Sequence, residues 1–162
     1  DLELQVDLRK ALETAADRLL LDQDAHVAWD DTLDRWVSHG ELEADGVVHR
    51  VLQIPVFTGA HPIIQNRELL YHEAIVKTPS SVTTLGASRD LPGIAVLQGC
   101  RRAWLGLSVR TVALVKPGQV RYSALWQTDL GGWLPRRAVT RGQVKAMRAE
   151  HQKFRGWWPV AD

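Results

Sequence analysis

The stretch from Arg121 to Val139 joins a strand-like run to a helix through one tight turn. The turn contains Gly131 and Gly132, which can take positive φ without steric cost and so allow a sharp reversal. Pro135 suits a helix entrance, where the missing N–H costs nothing. An apolar face at helical spacing then follows, made of Val144, Met147, His151 and Phe154. A last strand feeding such a helix is typical of a curved sheet that grips a C-terminal helix around a cavity.

The remainder of the chain predicts a sheet with one early helix. Leu2–Leu8 alternates apolar and polar residues and predicts a strand, whereas Arg9–Leu21 carries a helical apolar stripe. The dipeptide Asp45-Gly46 predicts a hairpin turn. The other predicted strands are Leu33–Leu42, Val47–Ile54, Arg67–Thr78, Ser81–Arg89, Arg101–Val115 and Val120–Thr128. The fold class is therefore α+β, with a curved antiparallel sheet of about seven strands gripping a long C-terminal helix.

The length of 162 residues predicts one domain with a core of its own, which we place at residues 1–156, followed by a tail at 157–162. The longest uncharged run, Val51 to Asn66, is too short and too broken by proline and glycine to span a membrane. Its second half, Val56 to Gln65, predicts an apolar loop long enough to have a function.

The net charge of +1 hides a division along the chain, because residues 1–45 carry a net charge of −9 and residues 46–162 a net charge of +10. The densest basic block lies on the predicted C-terminal helix and suits an anionic surface. We expect peripheral contact with anionic membrane there, through Arg136, Arg137, Arg141, Lys145 and Arg148. A solvated helix face is the alternative. Nucleic acid is disfavoured because no stacking-aromatic motif accompanies the arginines.

Catalytic and metal-binding motifs are missing from the sequence. The six histidines are scattered, and no His-Glu-x-x-His, Cys-x-x-Cys, Gly-x-Ser-x-Gly or phosphate-loop pattern occurs. The sequence therefore predicts no catalytic residue, no metal and no cofactor, and a protein that is not an enzyme. The one cysteine, Cys100, is compatible with a reducing compartment, so we expect an intracellular location, in the cytoplasm or an organelle such as the mitochondrion.

The order of elements, together with four short motifs, resembles the START (StAR-related lipid transfer) domain of the helix-grip superfamily. The motifs are Trp29-Asp30, Gln65-Asn66-Arg67-Glu68, Arg101 at the head of a long strand, and Asp129-Leu130-Gly131-Gly132-Trp133-Leu134-Pro135. In START domains a proline usually stands at the position of Leu130. The helix and hairpin that open a complete START domain have no counterpart here. The resemblance therefore implies either an N-terminally truncated START domain or a reduced version that leaves the N-terminal sheet edge open, and we expect that a protein partner could cover this edge.

The resemblance implies a lipid-binding or lipid-transfer domain that holds one hydrophobic ligand, such as a sterol or phospholipid, between sheet and C-terminal helix. An acid–arginine pair occurs inside several START cavities, and Glu73 with Arg101 is the predicted counterpart. Ligand cavities are mainly apolar with a few orienting polar groups. The predicted ligand-binding residues are Phe57, Ile63, Ile64, Arg67, Glu73, Arg101, Trp126, Leu134, Val144 and Met147.

Two alternatives stay open. Ordinary core packing is the stronger explanation for each apolar residue in that set. The whole chain could also be a non-catalytic structural subunit of a larger assembly, built on a START-like scaffold whose interior is filled by its own side chains.

Overall fold

A computed structural model describes residues 2–28, 36–56, 65–116 and 119–132 and eight positions of the C-terminal segment. Those eight positions, all helical, are 137, 139–141, 144, 145, 148 and 152. Several sequence predictions lie outside the described residues. They concern the loop residues 57–64, the turn at 117–118, Trp29-Asp30, Pro135 and the tail at 157–162.

The chain opens with helix, not with a strand. Helix α1 spans Leu2–Ala16, a π-helical turn continues over Asp17–Leu21, and the short helix α2 spans Gln23–Val27. The prediction of a strand at Leu2–Leu8 is therefore wrong. Seven alternating residues also fit the start of a helix when, as here, leucines recur every fourth residue at positions 4, 8 and 12.

The apolar stripe predicted for the early helix is confirmed. Its residues form a buried cluster with side chains of the sheet, so α1 and the π-helical turn pack directly on one sheet face. The helical members of this cluster are Leu12, Ala15, Ala16, Leu19 and Leu20, and the buried sheet members are Ile75, Val82 and Val112. The Asp22 side chain caps α2 by accepting a hydrogen bond from the backbone N–H of Ala25 over 3.0 Å.

Six strands form one sheet. They are β1 (Val37–Ala44), β2 (Val47–Val56), β3 (Asn66–Lys77), β4 (Ser81–Ser88), β5 (Cys100–Lys116) and β6 (Gln119–Asp129). The predicted antiparallel α+β class is confirmed, with six described strands where seven were predicted because Leu2–Leu8 is helical. The predicted hairpin at Asp45-Gly46 is also confirmed, with φ values of 53° and 73°.

Neighbouring strands follow one another in sequence order, from β1 at one edge to β6 at the other. Beyond the end of β4, strands β3 and β5 also pair directly with each other. This pairing is parallel and joins residues 66–69 of β3 to residues 100–103 of β5. The 89–99 loop between β4 and β5 makes this possible. Among the described strands, β1 and β6 each pair on one side, so the sheet is open.

The strand register defines two faces. We call the face that contacts α1 the inner face and the opposite one the outer face. Directly paired residues share a face, and the face alternates along each strand. The inner face therefore includes Val48, Arg50, Leu52, Tyr71, Glu73, Ile75, Thr84, Gly86, Ser108, Arg110, Val112 and Trp126.

Within the described part of the chain, no helix combines the length and the apolar character needed to cross a membrane.

Candidate functional site

Three charged side chains meet on the inner face of the sheet. Arg50 on β2 places Nε and Nη2 at 2.6 Å from Oε2 of Glu73 on β3. Arg110 on β5 donates from Nη2 to the other carboxylate oxygen, Oε1, over 2.8 Å. The register places Arg50 directly opposite Glu73, whereas Arg110 reaches the carboxylate from two strands away. We call this group the Arg50–Glu73–Arg110 cluster.

All three members are buried, with exposed fractions of 8%, 1% and 9% in chain order. Arg50 also donates from Nη2 to the carbonyl oxygen of Leu20 over 3.2 Å, which ties the cluster to the end of the π-helical turn. Buried charges are tolerated when they are paired and hydrogen-bonded, and removal of one partner is then strongly destabilising. The cluster therefore fixes the register of three strands and the position of the early helix.

The electrostatics of the cluster keep Arg110 charged and Tyr71 neutral. Burial alone would lower the pKa of Arg110, but the neighbouring Tyr71 and Glu73 outweigh it and raise this pKa. Burial, together with the charge of Glu73, raises the pKa of the Tyr71 phenol well above its ordinary value. Tyr71 is thus an uncharged hydroxyl beside two cations.

The prediction that Glu73 pairs with Arg101 is wrong. Arg101 is exposed, and its guanidinium lies beside the turn at Gly132, so close that a Cβ at Gly132 would be 2.9 Å from Arg101 Nη1. The partners of Glu73 are Arg50 and Arg110, which the sequence prediction missed. The sequence holds only a partial signal: Arg50 shares the alternation of Val48 and Leu52, which indicates its face of the sheet but not its partner.

The cluster lies between two apolar regions of the inner face. On one side is the core formed with α1 and the π-helical turn. On the other side is a second buried cluster, made of Leu52, Ile54, Tyr71 and Leu105 with Trp36 and Leu69 packed against it. A polar group with apolar surroundings on both sides is the arrangement expected where an amphipathic molecule is oriented.

Two polar atoms close to the cluster lack a partner. Nε of Arg110 and Oγ1 of Thr84 are buried and have no hydrogen-bond partner among the residues that the structure describes. Thr84 and Arg110 are direct cross-strand neighbours, so both atoms belong to the same part of the inner face. Buried polar atoms are nearly always satisfied in folded proteins, so such a pair points to a missing partner.

The predicted site residues that the structure describes fall in different places. Trp126 lies on the inner face opposite Ser108 and is 39% exposed. Val144 is 42% exposed and belongs to the same face of the C-terminal helix as Arg141 and Arg148, so its position does not support a role inside the protein. The five remaining apolar residues of the prediction lie outside the described residues, namely Phe57, Ile63, Ile64, Leu134 and Met147.

Arg67 is buried, and its guanidinium group donates hydrogen bonds to backbone carbonyl oxygens and not to a carboxylate. Its Nε donates to the carbonyl oxygen of Leu130 over 2.7 Å, Nη2 donates to that of Gly131 over 3.4 Å, and Nη1 donates to that of Gln65. One side chain therefore connects the start of β3 with the turn that precedes the C-terminal helical segment.

A second buried network, on the outer face, fixes the 89–99 loop. Glu68 is fully buried and accepts hydrogen bonds from Gln53 Nε2 over 2.8 Å, from the Leu97 backbone N–H over 2.7 Å, and from Arg102 Nε. Gln53 also donates to the Ala95 carbonyl oxygen over 2.9 Å. The network is complete in itself, so we assign it a structural role.

Neither a metal centre nor a reactive thiol is indicated. Within the described ranges, no group of three His, Cys, Asp or Glu side chains is close enough to hold a metal ion. Burial, and to a lesser degree Glu68, raises the pKa of the Cys100 thiol, which disfavours the nucleophilic thiolate.

The basic residues of the C-terminal segment point away from the protein. Arg137, Arg141, Lys145 and Arg148 are helical and exposed, and their spacing of three or four residues puts them on one face. Arg136, the fifth predicted member of this set, lies outside the described residues.

An open, mostly antiparallel sheet with helices packed on one face, followed by a Gly-Gly turn and a C-terminal helical segment, is the START type of α+β fold. Comparison with solved structures agrees. Human StAR-related lipid transfer protein 5 has a TM-score of 0.75 at 16% identity, over 88% of this chain and 67% of that chain. Human STARD10 has a TM-score of 0.73 at 17% identity, over 90% of this chain and 59% of that chain.

A third similar structure is the lipid transfer and protein localization domain of human StarD13 (DLC2). Its TM-score is 0.68 at 19% identity, over 91% of this chain and 72% of that chain. No protein-family model and no curated protein matches the sequence. The START fold implied by the sequence motifs is thus confirmed. The chain spans between 59% and 72% of the length of these three structures.

Proposed function

We propose that this chain is a lipid-binding or lipid-transfer domain, without enzymatic activity, that holds one hydrophobic ligand between the inner face of the sheet and the C-terminal helix. The observation that carries the proposal is the position of the Arg50–Glu73–Arg110 cluster between two apolar regions, in a fold shared with proteins named for lipid transfer. Apolar burial would supply most of the affinity, about 25 cal/mol per Å² before the costs of binding.

Native mass spectrometry of the gently purified chain tests this proposal. We expect a co-purifying lipid, or uptake of a fluorescent sterol or phospholipid in a one-to-one ratio. Trp126→Asp, which places a charge on the exposed part of the inner face, should weaken uptake. Leu125→Asp is the matched control, because the neighbouring Leu125 points to the outer face and is 60% exposed. A chain that takes up no lipid of any class would contradict the proposal.

The exposed basic face of the C-terminal helix supports membrane docking as part of this function. Each lysine or arginine near an anionic surface contributes about 1 kcal/mol at moderate ionic strength. We expect sedimentation with vesicles that contain phosphatidylserine, and loss of binding in the double variant Arg141→Glu/Arg148→Glu or at high salt. Binding that is indifferent to salt and to these substitutions would contradict a role of this face.

A second candidate function, a structural subunit of a larger assembly, is supported by the edge of β6. This strand is exposed along most of its length, and an unpaired edge is a template for another strand. On this alternative the chain would aggregate, or elute in a larger species, unless a partner protein that covers β6 were co-expressed. A well-behaved lipid-binding monomer in gel filtration would contradict it. An intracellular location stays a prediction.

A further inference from the structure

The Arg50–Glu73–Arg110 cluster contains two cations but one anion. Arginine stays protonated in proteins, and the neighbouring Tyr71 stays neutral for the reasons given above. Within the described part of the chain, Glu73 is the acidic side chain that pairs with both guanidinium groups. The cluster therefore carries an excess of one positive charge, about nine-tenths or more of it removed from solvent.

An uncompensated charge in this position is costly. Buried charges are retained when a counter-charge or a set of hydrogen bonds replaces the lost water. Glu73 is already shared, with one carboxylate oxygen bound to each arginine. A second negative group beside the cluster would remove the imbalance, and none of the described side chains that contact the cluster provides it.

The two unsatisfied atoms show where such a group would bind. Nε of Arg110 can only donate a hydrogen bond, and the Thr84 hydroxyl can also donate one. The two residues face each other across β4 and β5. An acceptor with two oxygen atoms could satisfy both donors and, at the same time, supply the missing negative charge.

We propose that the Arg50–Glu73–Arg110 cluster, with Thr84, binds the ionised carboxylate of an amphipathic acid, such as a fatty acid, whose apolar chain lies against the apolar part of the inner face. The inference rests on the proposed lipid-binding function and names the class of its ligand. A carboxylate carries the single negative charge that balances the cluster. A phosphate monoester carries about −1.5 to −2 at neutral pH and would leave an excess of negative charge. A neutral hydroxyl would leave the cation uncompensated.

The test compares ligands that share one tail. Dodecanoate, 1-dodecanol and dodecyl phosphate are titrated into the full chain, and binding is followed by isothermal titration calorimetry. We expect dodecanoate to bind at least about tenfold more tightly than dodecanol, since hydrogen bonds to a charged group are the stronger ones. Equal affinities for the acid and the alcohol would overturn this inference and leave the lipid-binding function standing. Tighter binding of dodecyl phosphate would also overturn it. Binding of none of the three would overturn this inference, and the uptake of a sterol or phospholipid then decides the lipid-binding function separately.

Variants locate the preference in the cluster. Arg110→Met removes the excess charge and one of the unsatisfied donors, so the ratio of the dodecanoate affinity to the dodecanol affinity should fall by about tenfold. Arg121→Met, at an exposed arginine of β6, is the control and should keep the preference. An unchanged preference in folded Arg110→Met would overturn the assignment. If Arg110→Met does not fold, Thr84→Val takes its place, because it removes the second donor and should also reduce the preference for the acid. The comparison of the three ligands in the unmodified chain tests the class of ligand in either case.

Discussion

Arg67 donates its Nε hydrogen to the carbonyl oxygen of Leu130, 2.7 Å away and 63 residues later in the sequence. With its bonds to the Gly131 and Gln65 carbonyl oxygens, this contact joins the two segments that flank the proposed ligand site. One segment is the start of β3, and the other is the turn that precedes the C-terminal helical segment. Movement of either segment is thereby linked to the same guanidinium.

Arg67→Met should destabilise the fold by about 2 kcal/mol, because three backbone carbonyl groups lose a charged donor in a buried site. Urea unfolding monitored by tryptophan fluorescence measures the change. Arg101→Met is the matched control, because Arg101 is the parallel-strand neighbour of Arg67 but is exposed, and it should change the stability by less than about 0.5 kcal/mol. Similar losses in both variants would contradict the role given to Arg67.

Glu73→Gln should destabilise the fold by roughly 3 kcal/mol or more, because it leaves two buried guanidinium groups without a counter-charge. The double variant Glu73→Gln/Arg110→Met removes one of these charges and should recover part of the loss. A double-mutant cycle on urea unfolding gives the coupling energy. Additive effects of the two substitutions would show that the carboxylate and Arg110 do not interact in solution.

Six of the seven predicted strands could be predicted from the sequence, because alternation, the Asp45-Gly46 turn and the Gly131-Gly132 turn are local signals. The partners of Glu73 could not be predicted from the sequence. Arg50 lies 23 residues before Glu73 and Arg110 lies 37 residues after it, so their meeting depends on the register of β2 through β5. Composition and spacing do not determine that register to a single residue.

The C-terminal helix shows a related limit. Helical spacing states which residues are neighbours on the helix surface, but it does not state which of them are buried. Val144 lies three residues after Arg141 and four before Arg148, so it shares their exposed face despite its apolar side chain. The strand prediction for Leu2–Leu8 was wrong for a different reason, because seven residues are too few to separate a period of two from a period of 3.6.

Gly86→Ala should destabilise the protein by about 1–3 kcal/mol through overpacking. A Cβ at this position would lie 3.0 Å from Cδ2 of Tyr71, whose ring is buried and cannot withdraw into solvent. Gly106→Ala on β5 is the control, since the nearest atom to its Cβ would be the end of the Gln127 side chain at 3.3 Å. Thermal unfolding of the two variants provides the comparison, and equal melting temperatures would contradict tight packing between Gly86 and Tyr71.

The stacked pair His49 and His72 should make stability depend on pH. Nδ1 of His49 lies 3.2 Å from Nε2 of His72, and the rings are 5.1 Å apart between centroids. Burial, then His49 and Arg89, lower the pKa of His72 below its ordinary value of 6.5, against the opposing effect of Glu73. The unfolded chain therefore binds more protons than the folded one below about pH 6.5, and stability must fall as the pH decreases through the folded-state pKa.

His72→Gln should remove this part of the pH dependence. The unfolding free energy of the unmodified protein should therefore fall more between pH 7.5 and pH 5 than that of the variant. His49→Gln should remove less of it, because burial, the largest cause of the lowered pKa, remains. Urea unfolding at a series of pH values, with the His72 ring followed by NMR, measures both effects. A His72 that titrates at or above 6.5 in the folded protein would contradict the predicted direction, because its charged form would then be stabilised by folding.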